Sequence, residues 1–285
     1  MMIAGGKEEV MMHLDNLINE LLAQGIKAEV ISVTKNGVDC TGLRLQSAVS
    51  NRVDPVVYFS KDDAAGDIME RVYEAIYRDR VDIDSSVLAD WNYVRDHVYI
   101  GIQRQGKEQL VKREFLNLEM IMRVYLDLDS KGRSGTIKVT EDYVRAIGGV
   151  TVDDLWRHAI NNSRPLYRIR PMGDILGIDD IGMYVATSDQ LTDAASVIYF
   201  SEYFRGFCQN HGCDSCYILP SSTQEMIVLP HEVCRGVADT QTMANMVMDI
   251  NASEVDPVIQ LDPCCYRYSL ETDAVEIAAR AKEEH

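Results

Sequence analysis

MYVATSDQLTDAASVIYFSEYFRGFCQNHGCDSCYILPSSTQEMIVLP, residues 183–230, decides how the second half of this chain folds. MYVAT is a short β-rich run. Across LTDAASVIYFSEYFRGF, Ala194, Val197, Phe200, Phe204 and Phe207 recur three or four residues apart, the spacing of a helix with one apolar face. SCYILPS and EMIVLP then read as two strands joined around Ser222-Thr223-Gln224, with the serines forming the turn. Downstream, ADTQTMANMVMDIN predicts a helix with Met243, Met246, Val247 and Ile250 inward, and CCYRYSL a last strand. The order β-α-β-β-α-β is that of a ferredoxin-like, split arrangement.

Upstream, Val10, Leu14, Leu17, Ile18, Leu21 and Leu22 stripe a first helix that Gly25 closes. KAEVISVT and VDCTGLRL flank Asn36-Gly37, a strong hairpin signal. DPVVYFS predicts a third strand, and Ile68, Met69, Val72, Tyr73 and Ile76 the inner face of a second helix. Residues 85–120 read as mostly helical, with Val87, Leu88, Trp91, Val94, Val98 and Ile102 on one side. FLNLEMIMRVYLDL and TIKVT are two strands around DSKGRSG, and Thr151 with Asp154 caps a helix that Pro165 ends. The fold class is therefore α+β, with mixed, largely antiparallel sheets and helices packed on them. The Gly148-Gly149 pair and the loop 173–182 are hinge candidates. They suggest an N-terminal region 1–148 and a C-terminal region 149–285, either separate or packed as one unit.

Cys208, His211, Cys213 and Cys216 crowd one turn, but zinc wants two spaced ligand pairs and only one Cys-x2-Cys is present. Cys208, Cys216 and Cys264 fit small core hydrophobes better, and His211-Gly212 a helix stop. No metal and no cofactor is expected. Residues 127–138 begin like a calcium loop, yet Lys131 and Lys138 stand where oxygen ligands belong, so a hairpin is the reading. Neither type of glycine-rich phosphate loop occurs. Asn161, Asn162, Arg164, Arg168 and Arg170 form a local basic cluster, which either holds an anionic group or pairs with surplus carboxylates.

The chain has 285 residues and a formal charge of −17. That field opposes direct binding to nucleic acid or anionic membrane and favours a basic partner. No apolar run approaches the about eighteen residues of a membrane span, no secretory signal opens the chain, and seven scattered cysteines suit a reducing cytoplasm.

VTVDDLWRHAINNSRPLYRIRPM, MYVATSDQLTDAASVIYF, CYILPSSTQEMIVLP and INASEVDPVIQLDPCCYRYSLETDAV resemble an uncharacterised bacterial family, domain of unknown function 5688. The similarity runs over nearly the whole chain and supplies no activity. It implies binding candidates at Asn161, Arg164, Arg170, Ser221, Ser222 and Glu225. The preferred function is a non-catalytic interaction protein of the bacterial cytoplasm with an acidic surface, its partner a basic protein. One alternative is a hydrolase using a pocket near Ser221, Ser222 and Arg164. Another is an acidic decoy that blocks a nucleic-acid-binding enzyme.

Overall fold

The computed structural model describes residues 5–46, 56–59, 63–78, 85–127, 134–179, 181–188, 193–234 and 239–282. Helix α1 (Gly5–Ala23) leads into strands β1 (Lys27–Lys35), β2 (Val38–Gln46) and β3 (Val56–Phe59), which form one antiparallel sheet in that order. Asn36 and Gly37, at φ 49° and 77°, make the two-residue turn that the Asn-Gly pair predicts. Helix α2 (Ala65–Tyr73) runs into a π-helical turn over Glu74–Arg78. Leu14, Leu17 and Leu21 pack with Leu43, Leu45, Val57, Ile68 and Val72 in a small core of this layer. Leu22 is 56% exposed, so the inner stripe of α1 is narrower than its apolar residues suggest. The side chain of Val10 lies outside the described residues.

The expected long helical stretch over 85–120 is corrected. Two short helices, α3 (Ser85–Leu88) and α4 (Trp91–His97), give way to β4 (Val98–Arg104) and β5 (Lys112–Phe115). The cause is a coincidence of period. Val94, Val98 and Ile102 lie four apart, which fits a helix, but four is also an even number. In β4 the residues Val98, Ile100 and Ile102 all alternate into the core. Strand β6 (Leu118–Asp127) pairs with β4 on one side and with β5 and β7 (Ser134–Lys138) on the other, all antiparallel. The loop between β6 and β7, residues 128–133, where the calcium-loop comparison fell, is outside the described residues.

Helices α5 (Glu141–Ile147) and α6 (Val152–Ser163) follow. The Thr151 Oγ1 accepts from the Asp154 amide at 3.1 Å, the expected cap, and the Asp154 carboxylate returns to the Thr151 hydroxyl, which donates to it at 2.7 Å. Next come β8 (Tyr167–Pro171), α7 (Met172–Leu176), β9 (Tyr184–Ser188), a 3-10 helix (Ala194–Tyr199), α8 (Ser201–His211), β10 (Ser215–Ser222) and β11 (Glu225–Pro230). The chain finishes with α9 (His231–Cys234), α10 (Thr240–Ser253), β12 (Cys264–Ser269) and β13 (Ala274–Arg280).

These strands make a six-stranded antiparallel sheet, β13-β12-β10-β11-β9-β8. The β-α-β-β-α-β order appears as β9, α8, β10, β11, α10, β12. Its spatial form is two interleaved split units. Strand β11 lies between β9 and β10, and β10 between β11 and β12. The fourth strand of the set therefore sits beside the second and not beside the first, so the ferredoxin-like arrangement expected from chain order is corrected: order along the chain does not specify that placement. The predicted helix over 191–207 is two pieces broken at Phe200, yet Ala194, Val197, Phe200, Phe204 and Phe207 are all buried. In α10 the inward set is Met243, Ala244, Val247 and Asn251. Met246 and Ile250 are 51% and 45% exposed, since they fall a turn's fraction off that stripe.

The main core draws Ile100, Ile102, Met120 and Met122 from the four-stranded sheet and Phe200, Phe204, Ile218 and Tyr266 from the layer beyond residue 148. Its continuity depends on how β4 is finished. β4 has no strand on its far side among the described residues, so its outward backbone groups need other partners. Ser163 Oγ accepts from Ile100 N at 2.9 Å, and Ser196 Oγ donates to Ile100 O at 3.1 Å. Asn162 Nδ2 donates to the Val98 and Arg95 carbonyls, each at 2.9 Å. Asn36 Oδ1 accepts from Arg104 N at 2.7 Å. Side chains from three distant segments thus seal one strand. No described helix is long and apolar enough to cross a membrane.

Candidate functional site

The candidate residues named by the family resemblance fall in two places. Arg164 caps the C-terminus of α6, pairs with Glu202 of α8 and lies 5.3 Å over the Phe200 ring. Asn161 is exposed one turn earlier, and Arg170 is exposed on the edge strand β8. Ser221, Ser222 and Glu225 sit together at the β10–β11 turn. Ser221 Oγ donates to Glu225 Oε1 at 3.0 Å, and Ser222 Oγ accepts from Gln224 N at 3.0 Å. Strand alternation sets Glu225 with Ile227 and Leu229, on the face that α10 covers, whereas α6 and α8 pack on the opposite face. Ser221 is therefore brought to Glu225 and not to Arg164. The tip is also anchored from behind, since Thr223 N donates to Ile259 O at 2.8 Å and Ala195 N to Thr223 O at 3.3 Å.

The neighbours in INNSR explain part of that stretch: Asn162 and Ser163 close the flank of β4. Arg113, Arg145, Arg157, Arg164 and Arg205 each pair with a nearby carboxylate. Pairing, one of the two uses foreseen for Arg164, is the one found there.

The three crowded thiols are interior groups. Cys208, Cys213 and Cys216 are buried at 0%, 3% and 0% exposure. Burial pushes the Cys213 thiol up to about 12, and the neighbouring Cys208 thiol together with burial raises Cys216 as well. His211 ends α8 with its ring against Phe207 and Tyr184, while Gly212, at φ 64°, supplies the left-handed stop. Among the described residues, no three His, Cys, Asp or Glu side chains are arranged to hold a metal ion.

A denser gathering of charge lies on the other face of the four-stranded sheet, where the residues alternate away from the core. Here Tyr99, Gly101 and Gln103 of β4 oppose Arg123, Ile121 and Glu119 of β6. Lys112 Nζ donates to Glu119 Oε1 at 2.6 Å, and Lys138 Nζ to Glu108 Oε1 at 2.6 Å and Gln103 Oε1 at 3.0 Å. Gln103, wholly buried, donates in turn to Glu108 Oε2 at 2.7 Å. Arg123 Nε lies 3.2 Å from Asp193 Oδ1, and Tyr125 donates to Asp193 Oδ2 at 3.0 Å. Asp193 is buried and holds a left-handed φ of 52°. Aspartate is one of the few non-glycine residues that tolerate that conformation.

Gly101 makes the arrangement possible, because a Cβ there would stand 3.0 Å from Arg123 Nε and 3.4 Å from Asp193 Oδ1. The β1–β2 tip brings Lys35 to the same cluster. Burial lowers its pKa, and the nearby Lys138 and Arg123 charges lower it further. Burial also lowers Lys138, against the opposing effect of Glu108. Sequence reading missed this cluster because its members come from several strands and loops far apart in the chain and form no motif. The faint signal was Gly101 and Gln103 inside an otherwise apolar strand.

The fold and this cluster define an antiparallel α+β protein with a polar, ion-paired cluster on the outer face of its four-stranded sheet, reached by the tip of the N-terminal hairpin. The chain belongs to a family of unknown function, DUF5688, whose model matches residues 7–270. No curated protein and no solved structure matches it.

Proposed function

We propose that this protein works by binding a partner rather than by transforming a substrate, and that the partner is a basic protein met in the bacterial cytoplasm. The observation that supports this best is how the reactive groups are spent. Ser221 is bonded to a carboxylate, Ser222 to a turn amide, and six of the seven thiols are buried. On the exterior, arginines are taken up in local pairs, so the excess carboxylates of a −17 chain face solvent. Exposed surplus charge of one sign steers an oppositely charged partner and is screened by salt. Seven cysteines without a disulfide suit a reducing compartment.

The test is affinity capture with the tagged full chain, against an equally acidic control bait, followed by elution between about 0.05 and about 0.5 M salt. Basic proteins retained by this bait alone and released by salt are the expected result. A partner list matching the control's would remove the reading.

A further inference from the structure

We propose that Lys35, Arg123 and Lys138 form a binding site for the oxyanion of a small ligand, a phosphate or a carboxylate. This goes beyond the basic partner above and does not depend on it. The cluster holds four cations, Lys35, Lys112, Arg123 and Lys138, and three carboxylates, Glu108, Glu119 and Asp193. Each carboxylate already has its own cation: Glu119 has Lys112, Glu108 has Lys138, and Asp193 has Arg123. Lys35 is left over. Its ammonium lies 3.2 Å over the Tyr58 ring, and no carboxylate stands within ion-pair distance of it among the described residues.

The placement of the other two cations adds to this. Arg123 and Lys138 are directly opposite each other in the β6–β7 ladder, where like charges destabilise a sheet unless something lies between them. Arg123 Nε also lacks an aligned hydrogen-bond acceptor although it is buried. The site can be reached, since the Arg123 and Lys138 side chains are 19% and 23% exposed. The missing side chain at Gly101 lets the guanidinium lie close against β4. A planar guanidinium and two ammonium groups close enough to perturb one another suit the oxygens of a phosphate or carboxylate. The −17 field opposes anions at long range, so affinity must come from these groups at contact.

The experiment is thermal unfolding of the full chain at constant ionic strength, with chloride replaced stepwise by inorganic phosphate or by acetate. A saturable rise of the midpoint is expected with one of the two, and the anion that acts identifies the ligand chemistry. Lys35→Met should weaken the response about tenfold, the effect of losing one charge-assisted contact. Lys27→Met, at the far end of β1, should leave it unchanged. On the unmutated chain, the active anion should slow acetylation of Lys35 and Lys138, read by mass spectrometry, and not that of Lys27. This second readout holds even if the variant fails to fold. No saturable rise with either anion, or equal labelling of Lys35 with and without it, overturns the proposal.

Discussion

Asn36 and Gln260, 224 positions apart in the chain, are joined by a 2.6 Å hydrogen bond from the Asn36 amide to the Gln260 carbonyl. The Asn36 Oδ1 meanwhile accepts from Arg104 N, and Asn36 is only 4% exposed. The residue that makes the β1–β2 turn is thus also the pin that fastens that hairpin to the rest of the molecule. Asn36→Ala would leave a half-buried carbonyl and a half-buried amide without their partner, a cost of about 1–3 kcal/mol. Urea unfolding should show that loss. A change below about 0.5 kcal/mol would mean that the pin carries no weight.

Ser163 and Ser196 hold opposite backbone groups of Ile100. Ser163→Ala and Ser196→Ala should each destabilise by about 1–3 kcal/mol. Because both serve the same peptide segment, the double variant should depart from the sum of the singles. Strict additivity in a double-mutant cycle would contradict this account of the β4 flank.

Alkali should unfold the protein through its buried phenols. Burial raises Tyr143 to about 12, from 10.0, and its hydroxyl donates to Leu88 O at 2.6 Å. A folded pKa above the unfolded one contributes stability in full below pH 10.0 and loses it as the pH climbs toward about 12. Lys35 and Lys138, whose pKa values are lowered, act the other way, since the unfolded chain holds more protons there and stability rises with pH. Tyr143→Phe isolates the phenol's share. Its stability should fall less steeply than that of the parent above pH 10, and parallel curves would refute the assignment.

Thiol labelling should divide the cysteines. Cys40 is half-buried and the other six are buried. Burial pushes Cys213 and Cys265 up to about 12, which leaves them protonated and unreactive at neutral pH. A disulfide reagent should modify Cys40 first, with the remaining six reacting only as the chain unfolds. Rapid modification of Cys213 in the native protein would place it in a different environment.

Local pattern made the secondary structure largely readable. The Asn-Gly turn, the Thr151 cap, the Gly212 stop and the strands on either side of Ser222-Thr223 follow from neighbouring residues alone. The mistakes came where a local pattern fits two structures, as at Val94, Val98 and Ile102, or where an apolar residue faces water, as at Leu22, Met246 and Ile250. The ion-paired cluster left only a faint trace, Gly101 and Gln103 inside an otherwise apolar strand. Lys35, Gly101, Glu108, Arg123, Lys138 and Asp193 are unremarkable one by one, and only tertiary folding sets them side by side.

The closed flank of β4 also restricts how copies of this chain can meet. A visiting peptide meets occupied groups at Val98, Ile100 and Arg104, because Asn162, Ser163, Ser196 and Asn36 already bond them. Strand exchange and fibril growth through that border would first have to evict four side chains. Association by added strands is thereby turned away from β4 and toward other sheet borders, among them β8 and β13 of the larger sheet.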